Sequence, residues 1–191
     1  MDHKLELDSA NTAVLVVDVQ KGLFNGKPPA FEGDQVIARI NEVTAKARSA
    51  GALVIIFQHE GDPSENWMVP FSDDWKLHPK LHVTAKDLTF RKTTCDAFYG
   101  TKLESELAVR RISKLVLTGF ATDFCVDTTL RIALSKEFEV VVIADGHTTN
   151  DGPVLRADQL QPHFNWAWQN CTAKSEVRVV RAREIAFSAR R

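Results

Sequence analysis

The stretch KLVLTGFATDFCVDTTLRIALS, residues 114–135, contains a strand, a turn and a helix in direct succession. The apolar run at 114–118 predicts a strand, and Gly119 belongs to a turn. A helix is predicted over about 124–135. Because strands that alternate with helices are typical of proteins with a parallel sheet, this stretch indicates the fold class.

The rest of the chain repeats the same alternation. Predicted strands lie at residues 13–17, 53–57, 88–91, 139–143 and 177–180, and predicted helices at 34–50, 101–110 and 156–170. Runs that are apolar on both faces are typical of central parallel strands. We therefore predict an α/β fold with a three-layer, doubly wound, mostly parallel sheet and helices on both faces, as one domain over 1–191.

Two local features refine this prediction. Residues 59–89 have little periodicity and contain three prolines and two tryptophans. A segment of that length is usually functional, so we expect it to form a lid or a substrate wall. The residues TKLE at 101–104 match a capping box, which predicts the start of a helix at this point.

Composition limits the classes of function. The 191 residues carry a formal net charge of -1, with 44% hydrophobic and 26% charged residues. These values fit a folded domain without the basic field of a nucleic-acid-binding protein. No apolar run is long enough to span a bilayer, and the charged start MDHK lacks the apolar core of a signal peptide. We expect a cytoplasmic protein that binds neither nucleic acid nor membrane.

Three polar residues occupy positions near the ends of predicted strands. Asp18 and Lys92 directly follow strands, and Cys125 lies at the predicted start of the helix after the strand at 114–118. In open parallel sheets, ligands bind at the carboxyl ends of strands near the reversal of strand order. We therefore expect the three side chains to converge on one edge of the sheet.

The chemistry of these three residues is coherent. A free thiol is mostly protonated at neutral pH, and a helix N-terminus with a nearby cation lowers its pKa. We expect Lys92 to be that cation, Asp18 to accept the thiol proton and return it to a leaving amine, and Cys125 to form a thioester. Taken singly, each has a structural alternative as a turn residue, a solvated lysine or a buried cysteine, and the pattern alone leaves both open.

Several segments together resemble the isochorismatase-like cysteine hydrolases, which include nicotinamidases, carbamoylsarcosine and ureidoacrylate amidohydrolases, and streptothricin hydrolase. GFATDFCVDTT at 119–129 is similar to their nucleophile motif, and TAVLVVDVQ at 12–20 to their opening strand with the catalytic Asp. FRKT at 90–93 with DAFYGT at 96–101 resembles the segment that carries their Lys. ADGHTT at 144–149 resembles the loop after the following strand.

The resemblance implies that Asp18, Lys92 and Cys125 are the catalytic residues. It also implies a cis peptide bond between Phe120 and Ala121. That bond would direct the backbone N–H of Ala121, together with that of Cys125, at the oxyanion of the tetrahedral intermediate.

Two departures from family patterns narrow the reaction. Isochorismatases proper hydrolyse a vinyl ether and typically lack the nucleophilic cysteine, whereas this chain has Cys125. Nicotinamidases bind a metal through an Asp-x-His motif after the second strand, and here that place reads QHEGD at 58–62, with His78 and His82 downstream. We therefore interpret His59 as a loop histidine with satisfied hydrogen bonds, and expect no cofactor and either no metal or an untypical one.

Five residues beside the expected site are candidates for substrate binding, with ordinary packing as the alternative for each aromatic ring. They are Gln20, Phe24, Trp75, Tyr99 and Phe120. We expect a homodimer or a higher homo-oligomer, and Trp166 and Trp168 in the last helix belong either to its interface or to the core.

The leading hypothesis is a cysteine-dependent hydrolase that cleaves an amide, ureide or lactam-type C–N bond in a small molecule. Two alternatives stay open. One is a metabolite-binding oligomer that is non-catalytic or senses oxidation through Cys125. The other is an ether hydrolase of the isochorismate type.

Overall fold

The computed structural model describes residues 4–189. Its strands are β1 (Leu5–Asp8), β2 (Thr12–Val17), β3 (Leu53–His59), β4 (Leu88–Lys92), β5 (Lys114–Phe120), β6 (Glu139–Thr148), β7 (Val177–Val180) and β8 (Ile185–Ser188). Its helices are α1 (Lys21–Phe24), α2 (Gly33–Ala50), α3 (Leu103–Val109), α4 (Asp127–Ser135) and α5 (Ala157–Gln169). Residues 1–3, part of the start examined for a signal peptide, lie outside the described range.

Six strands form the central sheet in the order β4-β3-β2-β5-β6-β7. Every neighbouring pair is parallel, which confirms the predicted parallel sheet. The chain winds outward from β2 through β3 to β4, and then starts again on the other side of β2 with β5. The reversal of strand order therefore lies between β2 and β5, where a ligand site is expected in such sheets.

Both faces of the sheet are covered, because alternate residues of each strand point to opposite sides. Val14 and Val16 of β2 pack with α2 on one face, while Leu15 and Val17 pack with α3, α4 and α5 on the other. This arrangement confirms the three layers. Trp168 is fully buried in the second of these cores, whereas Trp166 is 65% exposed, so only Trp166 stays a candidate for an interface between copies.

A second, two-stranded parallel sheet joins the two ends of the described chain and was not predicted. In it β1 pairs with β8, with Leu5 opposite Ile185. Each strand has only four residues, and the alternation LELD or IAFS is too short to be distinguished from a loop.

Two local predictions differ from the structure. The capping box does not form: Thr101 Oγ1 accepts the N–H of Leu103, 3.2 Å away, and the Glu104 carboxylate binds Lys136 at 2.8 Å instead of turning back to residue 101. The segment 144–149, expected to be a loop, continues β6 as far as Thr148 because His147 and Thr148 pair with the end of β5. Within residues 4–189, no helix is both long and apolar enough to cross a membrane.

The irregular segment between β3 and β4 folds over the carboxyl end of the sheet. Apart from a 3-10 turn at Pro63–Glu65, it contains no regular element longer than a single bridge. It is attached to the body of the protein by Arg48, which binds the buried Asp87 carboxylate at 2.8 and 2.9 Å. Near the other end of the segment, the ring of Trp67 packs beside that of His59, with ring centroids 5.1 Å apart.

Candidate active site

The three predicted catalytic residues meet at the carboxyl end of the sheet. Asp18 follows β2, Lys92 ends β4, and Cys125 lies in the π-helical turn Thr122–Val126 between β5 and α4. Lys92 Nζ is 2.6 Å from Asp18 Oδ2 and 3.2 Å from Cys125 Sγ. The expected convergence of the three side chains is therefore present.

Close contact between β2 and β5 brings Asp18 and Cys125 to the same place. Gly119 has a φ of 117°, and a Cβ at this position would lie 2.0 Å from the carbonyl oxygen of Val17. Only glycine permits both the backbone conformation and this approach. Immediately afterwards the Phe120–Ala121 peptide bond is cis, as the family resemblance implies, and the N–H of Val126 donates to the Ala121 carbonyl at 3.0 Å.

Lys92 is the centre of the site. Its side chain is fully buried, and its ammonium group has three hydrogen-bonding contacts, with the Thr94 carbonyl at 2.9 Å, Cys125 Sγ at 3.2 Å and His59 Nδ1 at 3.4 Å. The Asp18 carboxylate adds an ion pair. That contact is off hydrogen-bonding geometry, so within residues 4–189 neither Asp18 oxygen receives a well-aligned donor. The Asp18 carboxylate is therefore held mainly by the charge of the Lys92 ammonium, 2.6 Å away.

The charges of the site reverse one expectation. Burial raises the pKa of the Cys125 thiol, the Asp18 carboxylate raises it further, and the Lys92 cation only partly opposes them. For Lys92, burial lowers the pKa, but Asp18 and Cys125 outweigh it and the pKa is raised. The resting site therefore contains a neutral thiol beside a carboxylate–ammonium pair, and not the thiolate that was expected from Lys92 alone.

His59 is a member of this site, which corrects its interpretation as a loop histidine. It ends β3 and pairs with Lys92 in the ladder between β3 and β4. Burial and the Lys92 cation lower the pKa of His59, so its ring is neutral at neutral pH. The missed signal was the register of these two strands, which puts their last residues side by side and is not visible in either run of sequence alone.

The segment 58–62 occupies the place where nicotinamidases carry their metal-binding motif, so its residues are possible metal ligands. One oxygen of Asp18, one ring nitrogen of His59 and the sulfur of Cys125 all lie within 4.8 Å of one another, and these are common ligands of zinc. However, the Lys92 ammonium lies 2.6, 3.4 and 3.2 Å from the same three groups and already acts as their shared cation. A divalent ion beside it would be repelled, so the residues do not fit a metal while Lys92 is charged.

A cavity of about 550 Å³ opens in front of Cys125. The two predicted oxyanion residues, Ala121 and Cys125, lie in its wall, as do Asp18 and His59. Cys95 also lies in this wall. Its apolar wall is formed by Leu23, Pro28, Trp67, Phe120, Phe124 and Pro153. Its polar wall includes Asp123, whose carboxylate accepts the hydroxyl of Thr149 at 2.6 Å.

The predicted substrate-binding residues lie in different places. Phe120 lines the cavity, whereas Gln20, Phe24, Trp75 and Tyr99 lie outside its lining. Phe24 is buried behind Phe120, with ring centroids 5.7 Å apart, and Tyr99 is 67% exposed. These positions assign Phe24 to support of the cavity wall, while Trp67 and Phe124 form part of the wall itself.

Gln20 and Trp75 belong to a different structure, the support of His59. Gln20 is fully buried; its side-chain oxygen accepts the N–H of His59 at 2.8 Å, and its amide nitrogen donates to the carbonyls of His59 at 3.0 Å and of Trp75 at 2.8 Å. All its hydrogen bonds therefore go to backbone groups. The residue is committed to positioning the end of β3.

A second buried polar cluster lies behind the turn Thr122–Val126, which contains Cys125. His147 is fully buried, with Nδ1 2.8 Å from Thr122 Oγ1 and Nε2 3.0 Å from Asn165 Oδ1. Asn165 Nδ2 donates to the Ala144 carbonyl, so its oxygen is the acceptor and His147 carries its proton on Nε2. Thr122 is then the donor to Nδ1, which ties the first residue of the turn to β6.

Comparisons with known proteins agree with this geometry. Residues 12–161 match the family model of the isochorismatase domain. The chain is 33% identical to a streptothricin hydrolase of Streptomyces noursei over 141 residues, which cover 74% of this chain and 56% of that protein. It is 32% identical to the ureidoacrylate amidohydrolase RutB of Methylobacterium radiotolerans over 201 residues, with 85% and 78% of the two chains covered. A solved structure of an isochorismatase family protein superimposes with a TM-score of 0.79 and 30% identity, covering 94% of this chain and 98% of the other.

The coverage differs among these relatives. The chain spans 56% and 51% of the length of the two streptothricin hydrolases that it matches, so about half of each has no counterpart in it. Its match to the solved isochorismatase family structure is nearly complete on both sides. Residues 12–161, which match the isochorismatase domain, include Asp18, Lys92 and Cys125.

Proposed function

The chain belongs to the isochorismatase family, and we propose that it is a hydrolase that cleaves a C–N bond of a small amide, ureide or lactam through a thioester on Cys125. The observation that carries the proposal is the meeting of Asp18, Lys92 and Cys125 at the reversal of strand order. A buried carboxylate, a buried ammonium and a thiol beside one cavity make up the groups that nucleophilic acyl transfer needs.

The first step is attack by Cys125. Since burial and Asp18 keep the thiol protonated, the sulfur becomes nucleophilic only as its proton moves to Asp18 while it attacks the substrate carbonyl. The base in this step is Asp18, one oxygen of which lies within 4.8 Å of the Cys125 sulfur. The Lys92 cation stabilises the sulfur during the transfer from 3.2 Å away.

The second step is collapse of the tetrahedral intermediate. Its oxyanion would be held by the backbone N–H groups of Ala121 and Cys125, both in the cavity wall. Such a donor contributes about 3–4 kcal/mol to the stability of the transition state. Expulsion of the nitrogen, which takes up the proton that Cys125 lost, leaves an acyl group on Cys125, and a water molecule then hydrolyses the thioester.

The size and lining of the cavity support a small substrate. A volume of about 550 Å³ lies within the range of small-molecule sites. Trp67, Phe120 and Phe124 form an apolar wall suited to a ring or an acyl chain, and Asp123 offers an acceptor to an N–H group. The names of the relatives agree with this class, since streptothricin hydrolase and ureidoacrylate amidohydrolase both denote hydrolysis of small molecules.

An ammonia-release screen over amides, ureides and lactams tests the proposal, with a chromatographic assay for substrates that release an amine. Cys125→Ala is the negative control, and Cys171→Ala is the matched control, because Cys171 follows α5 and lies outside the lining of the cavity. We expect turnover of at least one compound by the unaltered protein and by Cys171→Ala, and none by Cys125→Ala. Full turnover by Cys125→Ala would overturn the mechanism, and cleavage of a vinyl ether by that variant would favour the isochorismate type of reaction.

A further inference from the structure

The position of His59 is set by the register of two parallel strands. His59 is the register partner of Lys92, so their side chains project side by side from the ends of β3 and β4. His59 Nδ1 lies 3.4 Å from Lys92 Nζ. The ring also lines the cavity in front of Cys125. It therefore contacts the buried cation on one side and the space for the substrate on the other.

The buried side chain of Gln20 holds this position. It binds both the N–H and the carbonyl of His59, at 2.8 and 3.0 Å, and is itself held by the Trp75 carbonyl. A fully buried amide whose partners are all backbone groups fixes the end of a strand far more tightly than a loop is fixed. Catalytic groups need this kind of support, because small displacements of a proton donor cost large factors in rate.

The hydrogen atoms around Lys92 define the tautomer of His59. An ammonium group only donates, so His59 Nδ1 in contact with it is an acceptor. The single ring proton of the neutral histidine then lies on Nε2. A neutral ring in this tautomer can give a proton from Nε2 while it takes one from Lys92 at Nδ1.

We propose that His59 is a fourth catalytic residue, which delivers the proton to the leaving nitrogen at the end of a path from Cys125 through Asp18 and Lys92. The inference rests on the proposed function. As sulfur attacks, the C–S bond forms, the thiol proton passes to Asp18 and the carbonyl electron pair moves to oxygen. As the C–N bond breaks, its electron pair stays on nitrogen, which takes the Nε2 proton of His59.

The remaining transfers restore the starting charges. His59 Nδ1 takes a proton from Lys92, and Lys92 takes the thiol proton from Asp18, 2.6 Å away. The net result is the transfer of one proton from Cys125 to the leaving amine. The Asp18 side chain is only 1% exposed and lies against the ammonium, so His59, half-buried in the cavity wall, is the better placed of the two to reach a departing group.

Two acyl donors with the same acyl group and different leaving groups test the inference. p-Nitrophenyl acetate releases a phenolate that leaves without a proton, whereas p-nitroacetanilide must be protonated on nitrogen before its C–N bond breaks. Acetylation of Cys125 by each compound is followed by mass spectrometry under single-turnover conditions. The proteins compared are the unaltered chain, His59→Gln, Cys125→Ala and His163→Gln, the last a matched substitution of an exposed histidine on α5.

For His59→Gln we expect acetylation by the anilide to slow by a factor of about 10²–10⁴, and acetylation by the ester to stay within about twofold of the unaltered protein. His163→Gln should match the unaltered protein with both compounds. An equal loss with both compounds in His59→Gln would assign it a structural role, and no loss with the anilide would remove it from the reaction; either result overturns the inference. If Cys125 of the unaltered protein were acetylated by neither compound, the proposed function would fail and this inference with it.

Discussion

Two buried polar clusters lie close together, since one contains Thr122 and the other contains Cys125 of the same π-helical turn. They differ in how many of their side-chain polar atoms have a hydrogen-bond partner. The histidine cluster, made of Thr122, His147 and Asn165, has a partner for each side-chain nitrogen and oxygen. The site cluster, made of Asp18, His59, Lys92 and Cys125 at the proposed active site, leaves both oxygens of a buried carboxylate without a donor in good geometry. Buried polar groups are normally hydrogen-bonded, so this exception supports the proposal that the reaction takes place at the site cluster.

The comparison separates two uses of burial. In the histidine cluster, burial strengthens hydrogen bonds that hold the nucleophile turn against β6. In the site cluster, burial raises the pKa of the Cys125 thiol, and the Asp18 carboxylate raises it further. Changes in the first cluster should therefore affect the free energy of unfolding with little effect on turnover, whereas every change in the second should lower the rate of turnover.

The largest effect is expected for Cys125→Ala. Removal of the nucleophile should lower kcat by a factor of about 10⁶, as in enzymes whose catalytic groups act as a unit. The free energy of unfolding should change by no more than about 1 kcal/mol, because a half-buried thiol makes few contacts that a methyl group does not keep. Turnover of the amide found by screening and urea denaturation check both parts; an unfolding change larger than the activity change would break the separation.

Asp18→Asn should follow, with kcat lowered by a factor of about 10⁴, because an amide cannot accept the thiol proton. This variant also leaves the Lys92 ammonium buried without its counter-ion, so it should destabilise the protein by about 3–5 kcal/mol. Rapid-mixing kinetics at low urea and equilibrium unfolding measure the two effects. Activity within tenfold of the unaltered protein would show that Asp18 is not the base.

The pH dependence of stability should report the histidine cluster. Burial lowers the pKa of His147 from 6.5 to about 4. Between these two pH values, His147 is protonated in the unfolded chain and neutral in the folded chain. The free energy of unfolding therefore falls as pH decreases below 6.5 and levels off below about 4. The full loss is about 3 kcal/mol. Urea denaturation across this range should show it in the unaltered protein, and a smaller slope in His147→Gln; equal slopes would contradict the assignment.

The smallest effect is expected for Thr122→Val. The change keeps the shape of the side chain but leaves Nδ1 of the buried His147 without its donor, at a cost of about 1–3 kcal/mol in unfolding free energy. Thr172→Val, at an exposed position, is the matched control and should change stability by less than about 0.5 kcal/mol. Calorimetry of the pair provides the measurement. A loss of turnover without loss of stability in Thr122→Val would move this cluster into the reaction.

The sequence supports the prediction of those features that depend on local pattern. The apolar runs at β2 and β5 predict buried strands, and the positions of Asp18, Lys92 and Cys125 after strands predict their meeting on one edge. The resemblance to a known family also predicted the cis bond before Ala121, which the structure contains. The family itself is confirmed by the match to the isochorismatase domain. These features depend on short segments, so the pattern within each segment is enough to predict them.

Features that depend on register or burial were not predictable in the same way. His59 joins the site only because β3 and β4 pair in one particular register, and Gln20 turns to the backbone of His59 instead of the substrate. The rise in the Cys125 pKa depends on the balance between burial, Asp18 and Lys92. The sequence alone does not give the burial of the thiol or its distances from these two charges. Long-range pairing and desolvation therefore account for most of the differences.

We propose above all that Cys125, in the cluster whose carboxylate lacks well-aligned donors, forms a covalent intermediate. The most direct measurement is rapid acid quenching during turnover of the amide found by screening, followed by peptide mass spectrometry. We predict an acyl group on the peptide that contains Cys125, released by hydroxylamine as a thioester, and absent from Cys125→Ala. Turnover without any adduct on Cys125, at a rate unchanged in Cys125→Ala, would contradict the account.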